Sequence, residues 1–141
     1  MLSLIAVLAA CGGEVLTKTF ERSEEGLVSA LTYKYKNDKV VEQTANNTMT
    51  YDYLGVDSKE EAEKQLAPFI ESYKGVEGIT HKIEFKEFEA TETLKVEYDK
   101  ADFNKLKELE GMSFDSEEDV KRISMKKSEE LLKSQGYTEK K

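Results

Sequence analysis

The chain has 141 residues, a formal net charge of −8 and 35% charged residues. This acidic balance argues against a nucleic-acid partner and against electrostatic adhesion to anionic lipid. The length suffices for one domain with one hydrophobic core. A single cysteine excludes an internal disulfide, and a single histidine leaves a zinc site of histidines and thiols without enough ligands. We therefore predict no metal and no cofactor.

The first ten residues, M-L-S-L-I-A-V-L-A-A, form an apolar run that ends at Cys11. A helix of this run would rise about 15 Å, half of the roughly 30 Å that a bilayer core requires. The run has the length of a signal-peptide apolar region. The alternative is a buried N-terminal strand with a free cysteine. We favour the signal peptide because small residues lead directly to the only cysteine, and L-A-A-C-G resembles the lipobox of bacterial lipoproteins.

This resemblance implies that the Cys11 thiol receives a diacylglycerol and that the preceding segment is removed. The predicted parts are a signal peptide over 1–10, a lipidated cysteine with a short tether over 11–14, and a single α+β domain over 15–141. Two acyl chains, with palmitate as an example, anchor a protein firmly. Three tether residues after Cys11 span roughly 10 Å. We expect the domain to lie close to the extracytoplasmic face of a bacterial cell membrane, held there by lipid.

Alternating apolar and polar residues predict strands in the first third of the chain. The second strand shows this best, with Leu27, Leu31 and Tyr33 on one face. Turn-like residues follow at Asn37 and Asp38. The predicted strands run over about 15–21, 27–35 and 40–53.

The apolar pattern also predicts how the second and third strands pair. A two-residue loop would place Tyr33 opposite Glu42. A three-residue loop would place Tyr33 opposite Gln43 and Tyr35 opposite Val41. Because a slip of one residue exchanges the two faces of a strand, the pattern favours the three-residue loop.

The rest of the chain predicts helices and a second hairpin. Ser58-x-x-Glu61 resembles a capping box and begins a helix with an apolar stripe that ends at Tyr73. The later predicted elements are strands over 79–85 and 94–98, a short helix capped by Asp102, and a final helix from about Ser116. The order βββ-α-ββ-α-α predicts an α+β fold: an antiparallel sheet of about five strands with helices packed on one face and a polar second face.

Several segments resemble one family. They are the lipobox, the run L-T-Y-K-Y-K-N-D-K-V-V-E-Q at residues 31–43, and Y-K-G-V-E-G at residues 73–78. Together they resemble YehR-like bacterial lipoproteins over nearly the whole mature chain. The resemblance implies a small membrane-anchored α+β domain of unassigned biochemical role, and it supplies no catalytic residues.

Four tyrosines are the candidate binding residues. In the predicted register, Tyr33 and Tyr35 lie beside Tyr51 and Tyr53 on neighbouring strands. Tyrosine combines apolar area with a hydroxyl group, which suits a recognition surface. The alternative is that these side chains form the core under the helices.

Two other features have a functional and a structural interpretation. His81 lies in phase with Ile79 and Ile83. Its functional interpretation is a proton switch or a metal ligand, and its structural interpretation is a residue with a satisfied hydrogen bond. The acidic clusters near 60–63 and 115–119 suggest calcium binding or solvated helix starts. We favour the structural interpretation in both cases.

Two functions remain open at this point. We expect a non-enzymatic binding or accessory module that touches envelope proteins or a small ligand. The alternative is an envelope hydrolase whose carboxylates the sequence does not identify. A deep pocket with two close carboxylates would favour the hydrolase, and a single apolar groove would favour the binding module.

Overall fold

The structure, a computed structural model, describes residues 13–109 and 122–141. These residues form an α+β fold with one antiparallel sheet of six strands and four helices. The elements are β1 Leu16–Glu24, β2 Leu27–Lys36, β3 Lys39–Thr50, α1 Tyr51–Leu54, α2 Lys59–Tyr73, β4 Ile79–Phe85, β5 Glu89–Glu97, α3 Phe103–Lys107, α4 Met125–Ser134 and β6 Thr138–Lys140. Within these two ranges, every helix is too short or too polar to cross a membrane.

The sheet has the strand order β4-β5-β3-β2-β1-β6, and every neighbouring pair is antiparallel. One face is apolar, because Phe20, Leu31, Ala45 and Leu94 lie directly opposite one another across β1, β2, β3 and β5. The buried side chains of the described helices belong to clusters on this face, except Tyr73, whose ring packs against His81 on the same face. The prediction of helices on one face is therefore confirmed for the described residues.

The hairpin of β2 and β3 has the register expected for the three-residue loop at Tyr33 but the length of the two-residue loop. Tyr33 lies opposite Gln43, as the three-residue loop predicts. The loop itself has two residues, because Asn37 and Asp38 have φ angles of 48° and 68°, as in a type I′ turn. A β-bulge between Lys34 and Tyr35 then restores the predicted register. The predicted loop length was therefore wrong, and so was the pairing of Tyr35, which lies opposite Val40.

The third strand ends earlier than predicted. β3 stops at Thr50, and the next four residues form α1. The Thr50 side chain caps this turn by accepting a hydrogen bond from the Tyr53 amide at 3.2 Å. Gly55 ends it with a φ of 73°, a conformation that favours glycine. The placement of Tyr51 and Tyr53 on a strand was therefore wrong.

The caps of α2 and α3 match the prediction. Ser58 Oγ accepts a hydrogen bond from the Glu61 amide at 3.2 Å. The Glu61 carboxylate accepts from the Asp57 amide at 2.8 Å, one residue before the usual partner in a capping box. Asp102 caps α3 through the Asn104 amide at 2.9 Å.

The C-terminal part differs from the prediction in two ways. The proposed helix start near Ser116 lies outside the described residues, and α4 begins at Met125 after the cap Ser124. A sixth strand, β6, follows α4 and pairs with β1, with Glu139 opposite Phe20. The predicted count of about five strands was therefore one too low.

Candidate functional site

Two separate hydrophobic clusters cover the apolar face of the sheet. The larger cluster joins β1, β2, α3 and α4, and its most buried members include Phe20, Tyr33 and Leu106. The smaller cluster lies under α1 and α2 and contains Tyr51 and Ala62. The clusters lie under different helices, so the middle of the sheet between them is covered less completely.

A groove of about 490 Å³ occupies this middle part, between α2 and α4. Its floor is formed by inward-facing residues of β2, β3 and β5, and its walls by side chains of the two helices. The lining residues are Leu27, Ser29, Leu31, Tyr33, Gln43, Ala45, Asn47, Met49, Tyr53, Phe69, Tyr73, Glu92, Leu94, Val96, Tyr98, Leu131, Leu132, Gln135 and Tyr137.

A row of polar residues crosses the floor of the groove. Ser29, Asn47 and Glu92 lie directly opposite one another on β2, β3 and β5. Ser29 Oγ is 3.0 Å from the Tyr137 hydroxyl, and Asn47 Nδ2 donates to Glu92 Oε1 at 2.9 Å. These bonds offset the cost of placing polar groups on an apolar face.

His81 lies on the edge strand β4, opposite Leu94 and diagonal to Glu92. Its Nε2 lies 2.8 Å from Glu92 Oε2, and its ring centroid lies 4.6 Å from that of Tyr73. The His81 side chain is only 4% exposed, whereas the Glu92 side chain is 18% exposed and lines the groove. His81 therefore has the hydrogen-bond partner that the structural interpretation requires, and it holds Glu92 in place.

Two tyrosine hydroxyls at the deeper end are neutral at physiological pH. Burial raises the pKa of Tyr33 to about 12, and burial also raises the pKa of Tyr98. The Tyr98 hydroxyl donates to Gln43 Oε1 at 2.8 Å. This end of the groove therefore presents uncharged groups.

The groove has one closed and one open end. Tyr33 and Val96 are buried at the end toward the turn of β2 and β3. At the other end, Leu27 is half-buried and Tyr53 is 44% exposed. A ligand would enter at the end where Tyr53 lies.

The structure brings two of the four candidate tyrosines to the groove. Tyr33 lines its closed end and Tyr53 its open end. Tyr51 is buried in the smaller cluster, where its hydroxyl donates to the Lys86 carbonyl. Tyr35 is half-buried and packs against the larger cluster. The core and surface alternatives therefore each describe some of these residues.

Ser29, Asn47 and Glu92 are not among the site residues predicted from the sequence. Each lies in phase with apolar neighbours on its strand; Glu92, for example, lies between Ala90 and Leu94 on the inward face. A polar residue at such a position marks a buried hydrogen bond or a site. His81 shows the same signal on the adjacent strand, where it reaches Glu92 diagonally.

The remaining candidates from the sequence are the metal-binding clusters and the lipidated cysteine. Among residues 13–109 and 122–141, no group of three or more metal-ligating side chains is present. Glu60, Glu61 and Glu63 are exposed at the start of α2, as expected for a solvated helix end. Cys11 and the acidic residues 115–119 lie outside the described residues.

Sequence comparisons place the chain among lipoproteins. Residues 16–138 match the model of a family described as "Protein of unknown function (DUF1307)". The chain is 49% identical over 137 residues to an uncharacterised lipoprotein of Listeria innocua, covering 96% of this chain and 88% of that protein. It is 32% identical over 136 residues to the uncharacterised lipoprotein YehR of Escherichia coli, covering 96% and 89%. The expected resemblance to YehR-like lipoproteins is confirmed.

Solved structures agree with the fold. The NMR structure of Escherichia coli YehR matches with a TM-score of 0.77 and 30% identity, over 91% of this chain and 92% of that one. The NMR structure of a protein from Streptococcus pneumoniae matches with a TM-score of 0.65 over 99% and 93%. At 19% identity, the second likeness concerns the fold alone.

Proposed function

The chain belongs to the DUF1307 family, with relatives named as lipoproteins, and from this premise we propose that it is a lipid-anchored, non-catalytic module that binds a small amphipathic molecule. In this proposal Cys11 carries the lipid and the domain lies on the extracytoplasmic face of the cell membrane. The observation that carries the proposal is the groove between the two hydrophobic clusters.

The size and lining of the groove suit a small molecule. Its volume of about 490 Å³ falls within the range of roughly 300–1,000 Å³ that is typical of small-molecule sites. Leu31, Ala45 and Leu94 supply an apolar floor. Asn47 and Glu92, which lie opposite each other, add one pair of polar groups to it. A ligand with an apolar body and one polar group would match this arrangement.

The lining supports a binding role over the hydrolase alternative. Among the described residues that line the groove, Glu92 is the only carboxylate. Hydrolysis by paired carboxylates requires a second acidic group with a different pKa close to the first. The Glu92 oxygens are instead bonded to Asn47 and His81. This arrangement favours recognition of a ligand.

The position of the groove also fits an anchored module. Gly13 lies beside the turn of β2 and β3, since a Cβ there would come within 2.8 Å of Asn37 Oδ1. The open end of the groove lies at the far end of β2, whose ten residues span roughly 33 Å. If the lipid is attached at Cys11, the groove opens away from the membrane, where a diffusing ligand has access to it.

A groove-filling substitution tests this proposal. Ala45 lies on the floor between Leu31 and Leu94, and Ala45→Phe would fill the space above them. Ala30→Phe is the matched control, because Ala30 lies on β2 with its side chain on the opposite face. Both substitutions are made in the full chain carrying Cys11→Ser, which cannot be acylated.

The probe is the neutral apolar dye N-phenylnaphthylamine, with binding followed by its fluorescence. We expect Ala45→Phe to weaken dye binding by roughly tenfold, equivalent to about 1.4 kcal/mol, and Ala30→Phe to leave it unchanged. Thermal melts establish that both variants are folded. Equal dye binding by the folded Ala45→Phe variant and its parent would refute the groove as the site.

A further inference from the structure

We infer that the ligand of the groove is a free small organic cation, an ammonium group on an apolar body, whose charge is bound by Glu92. This inference rests on the proposed function and specifies the class of ligand. It depends on four features of the groove: the hydrogen bonds of the Glu92 carboxylate, the aromatic side chains of the lining, the charge of the lining, and the dimensions of the groove.

Glu92 is held in position and keeps capacity to accept hydrogen bonds. Asn47 donates to Oε1 at 2.9 Å, and His81 Nε2 lies 2.8 Å from Oε2. A carboxylate accepts about four hydrogen bonds, so these two contacts leave acceptor positions on both oxygens. Since Glu92 lines the groove, an N–H donor of a bound ligand has access to them.

Aromatic side chains line the same groove as this carboxylate. A cation near the face of such a ring is stabilised by the ring quadrupole, and sites for organic ammonium ions commonly use several aromatic rings. The aromatic residues of the lining are Tyr33, Tyr53, Phe69, Tyr73, Tyr98 and Tyr137. The same side chains give an alkyl or aryl body apolar contact.

The groove lining, in the part of the chain that the structure describes, has an acidic side chain and no lysine or arginine. Glu92 is the only acid among these described lining residues. The nearest basic side chain is His81, whose Nε2 lies 2.8 Å from Glu92 Oε2. An anionic ligand would be repelled by this carboxylate, and a neutral one would leave the charge without a counterion.

The dimensions of the groove favour a free molecule over a membrane lipid. A lipid with two acyl chains exceeds a volume of about 490 Å³. The open end also lies opposite Gly13, and therefore far from the membrane if the anchor is Cys11. A lipid would have to leave the bilayer completely to reach it.

Three probes of equal chain length test the inference: n-octylammonium, n-octanol and n-octanoate. Each is titrated into the full chain carrying Cys11→Ser, and the alanine methyl signals are followed by NMR. The Ala45 methyl reports on the groove, and the Ala30 methyl on the opposite face serves as an internal control. We expect octylammonium to shift the Ala45 signal with an affinity roughly tenfold above that of octanol, with octanoate weakest.

The variant Glu92→Gln removes the charge and keeps an oxygen acceptor and an amide donor for Asn47 and His81. We expect it to abolish the preference for octylammonium over octanol. Glu84→Gln, an exposed carboxylate on β4, is the matched control and should retain that preference. If Glu92→Gln does not fold, the order of the three probes with the parent chain still decides the question.

Equal or tighter binding of octanol or octanoate by the parent chain would overturn the cationic class, as would an unchanged preference in folded Glu92→Gln. Absence of any shift at Ala45 with octylammonium would also overturn it. The dye measurement with Ala45→Phe decides separately whether the groove binds ligands at all, so the two proposals fail in distinguishable ways.

Discussion

At the scale of single residues, the groove depends on polar side chains at inward positions of the strands. Ser29, Asn47 and Glu92 are each hydrogen-bonded to a partner that is distant in the sequence. An unsatisfied polar group at such a position would cost about 1–3 kcal/mol. The strand pattern identifies these positions, but the partners depend on how strands and helices pack, which a single sequence does not show.

The tyrosines give a prediction at this scale. Tyr33→Ala should lower the free energy of unfolding by about 3–5 kcal/mol, because the side chain is 4% exposed in the larger cluster. Tyr53→Ala should cost less than about 1 kcal/mol, because that side chain is 44% exposed. Urea denaturation of both variants measures the difference.

Tyr53→Ala should instead weaken dye binding, since Tyr53 lines the open end of the groove. Lys36→Ala, on β2 away from the groove, is a control that should change dye binding little. A large loss of stability in Tyr53→Ala, or unchanged dye binding, would show that the open end is assigned incorrectly.

At the scale of elements, polar contacts fix α4 to the sheet along its length. At its start, Asp38 Oδ1 accepts from the Lys126 amide at 2.8 Å and Oδ2 accepts from Ser124 Oγ at 2.7 Å. In its middle, Lys18 on β1 pairs with Glu129 at 3.0 Å, and this hydrogen bond lowers the pKa of Glu129. These contacts position the helix wall of the groove, because α4 supplies Leu131 and Leu132 to the lining.

Asp38 makes this attachment dependent on pH. The hydrogen bond from the Lys126 amide, followed by that from Ser124, holds the pKa of Asp38 below its usual value. A carboxyl whose pKa is lower in the folded state stabilises the fold above the unfolded pKa of about 3.9, and this contribution is lost as the pH falls through the folded pKa.

Asp38→Asn should therefore lower the free energy of unfolding by about 1 kcal/mol at pH 7, a value typical of the loss of a helix cap. The effect is modest because the Asp38 side chain is 41% exposed. The difference from the parent chain should shrink as the pH falls below about 4. Asparagine tolerates the positive φ of 68° at this position, so the turn is preserved. Denaturant melts across pH measure the effect, with Asp57→Asn at an exposed carboxylate as the control. A difference that is constant with pH would contradict the argument.

The sequence predicts elements well where the local signals agree with the packing. The caps of α2 and α3 and the register at Tyr33 are examples. It misses α1, because Tyr51 and Tyr53 favour a strand and only the Thr50 cap and Gly55 reverse that preference. It misses β6 because three polar residues show no alternation, and their pairing with β1 depends on the path of the chain after α4.

At the scale of the whole molecule, the groove follows from the width of the sheet. Six strands spaced about 4.8 Å apart place the outer strand axes roughly 24 Å apart. A helix covers about 10 Å, so α2 beside β4 and α4 beside β1 leave the central strand β3 incompletely covered. Leu31 and Ala45 therefore line the groove. The sequence showed one apolar face but did not show how far apart the two helices lie.

The anchor gives a prediction at this scale. Cys11→Ser should release the protein from membranes, because the thiol is the proposed site of acylation and double acylation supplies most of the membrane affinity. Fractionation of cells that express the parent chain or the variant measures this. Ser3→Ala, within the same apolar run, is the matched control and should remain in the membrane fraction. Retention of Cys11→Ser in carbonate-washed membranes would contradict the lipobox interpretation.

The central claim is that the groove holds a small amphipathic cation in the cell. The most direct measurement is mass spectrometry of the small molecules that copurify with the lipidated protein from its own membranes. The parent chain and Ala30→Phe should carry the same small basic molecule, and Ala45→Phe should have lost it. Equal amounts of this molecule on Ala45→Phe, or its absence from the parent chain, would contradict the claim.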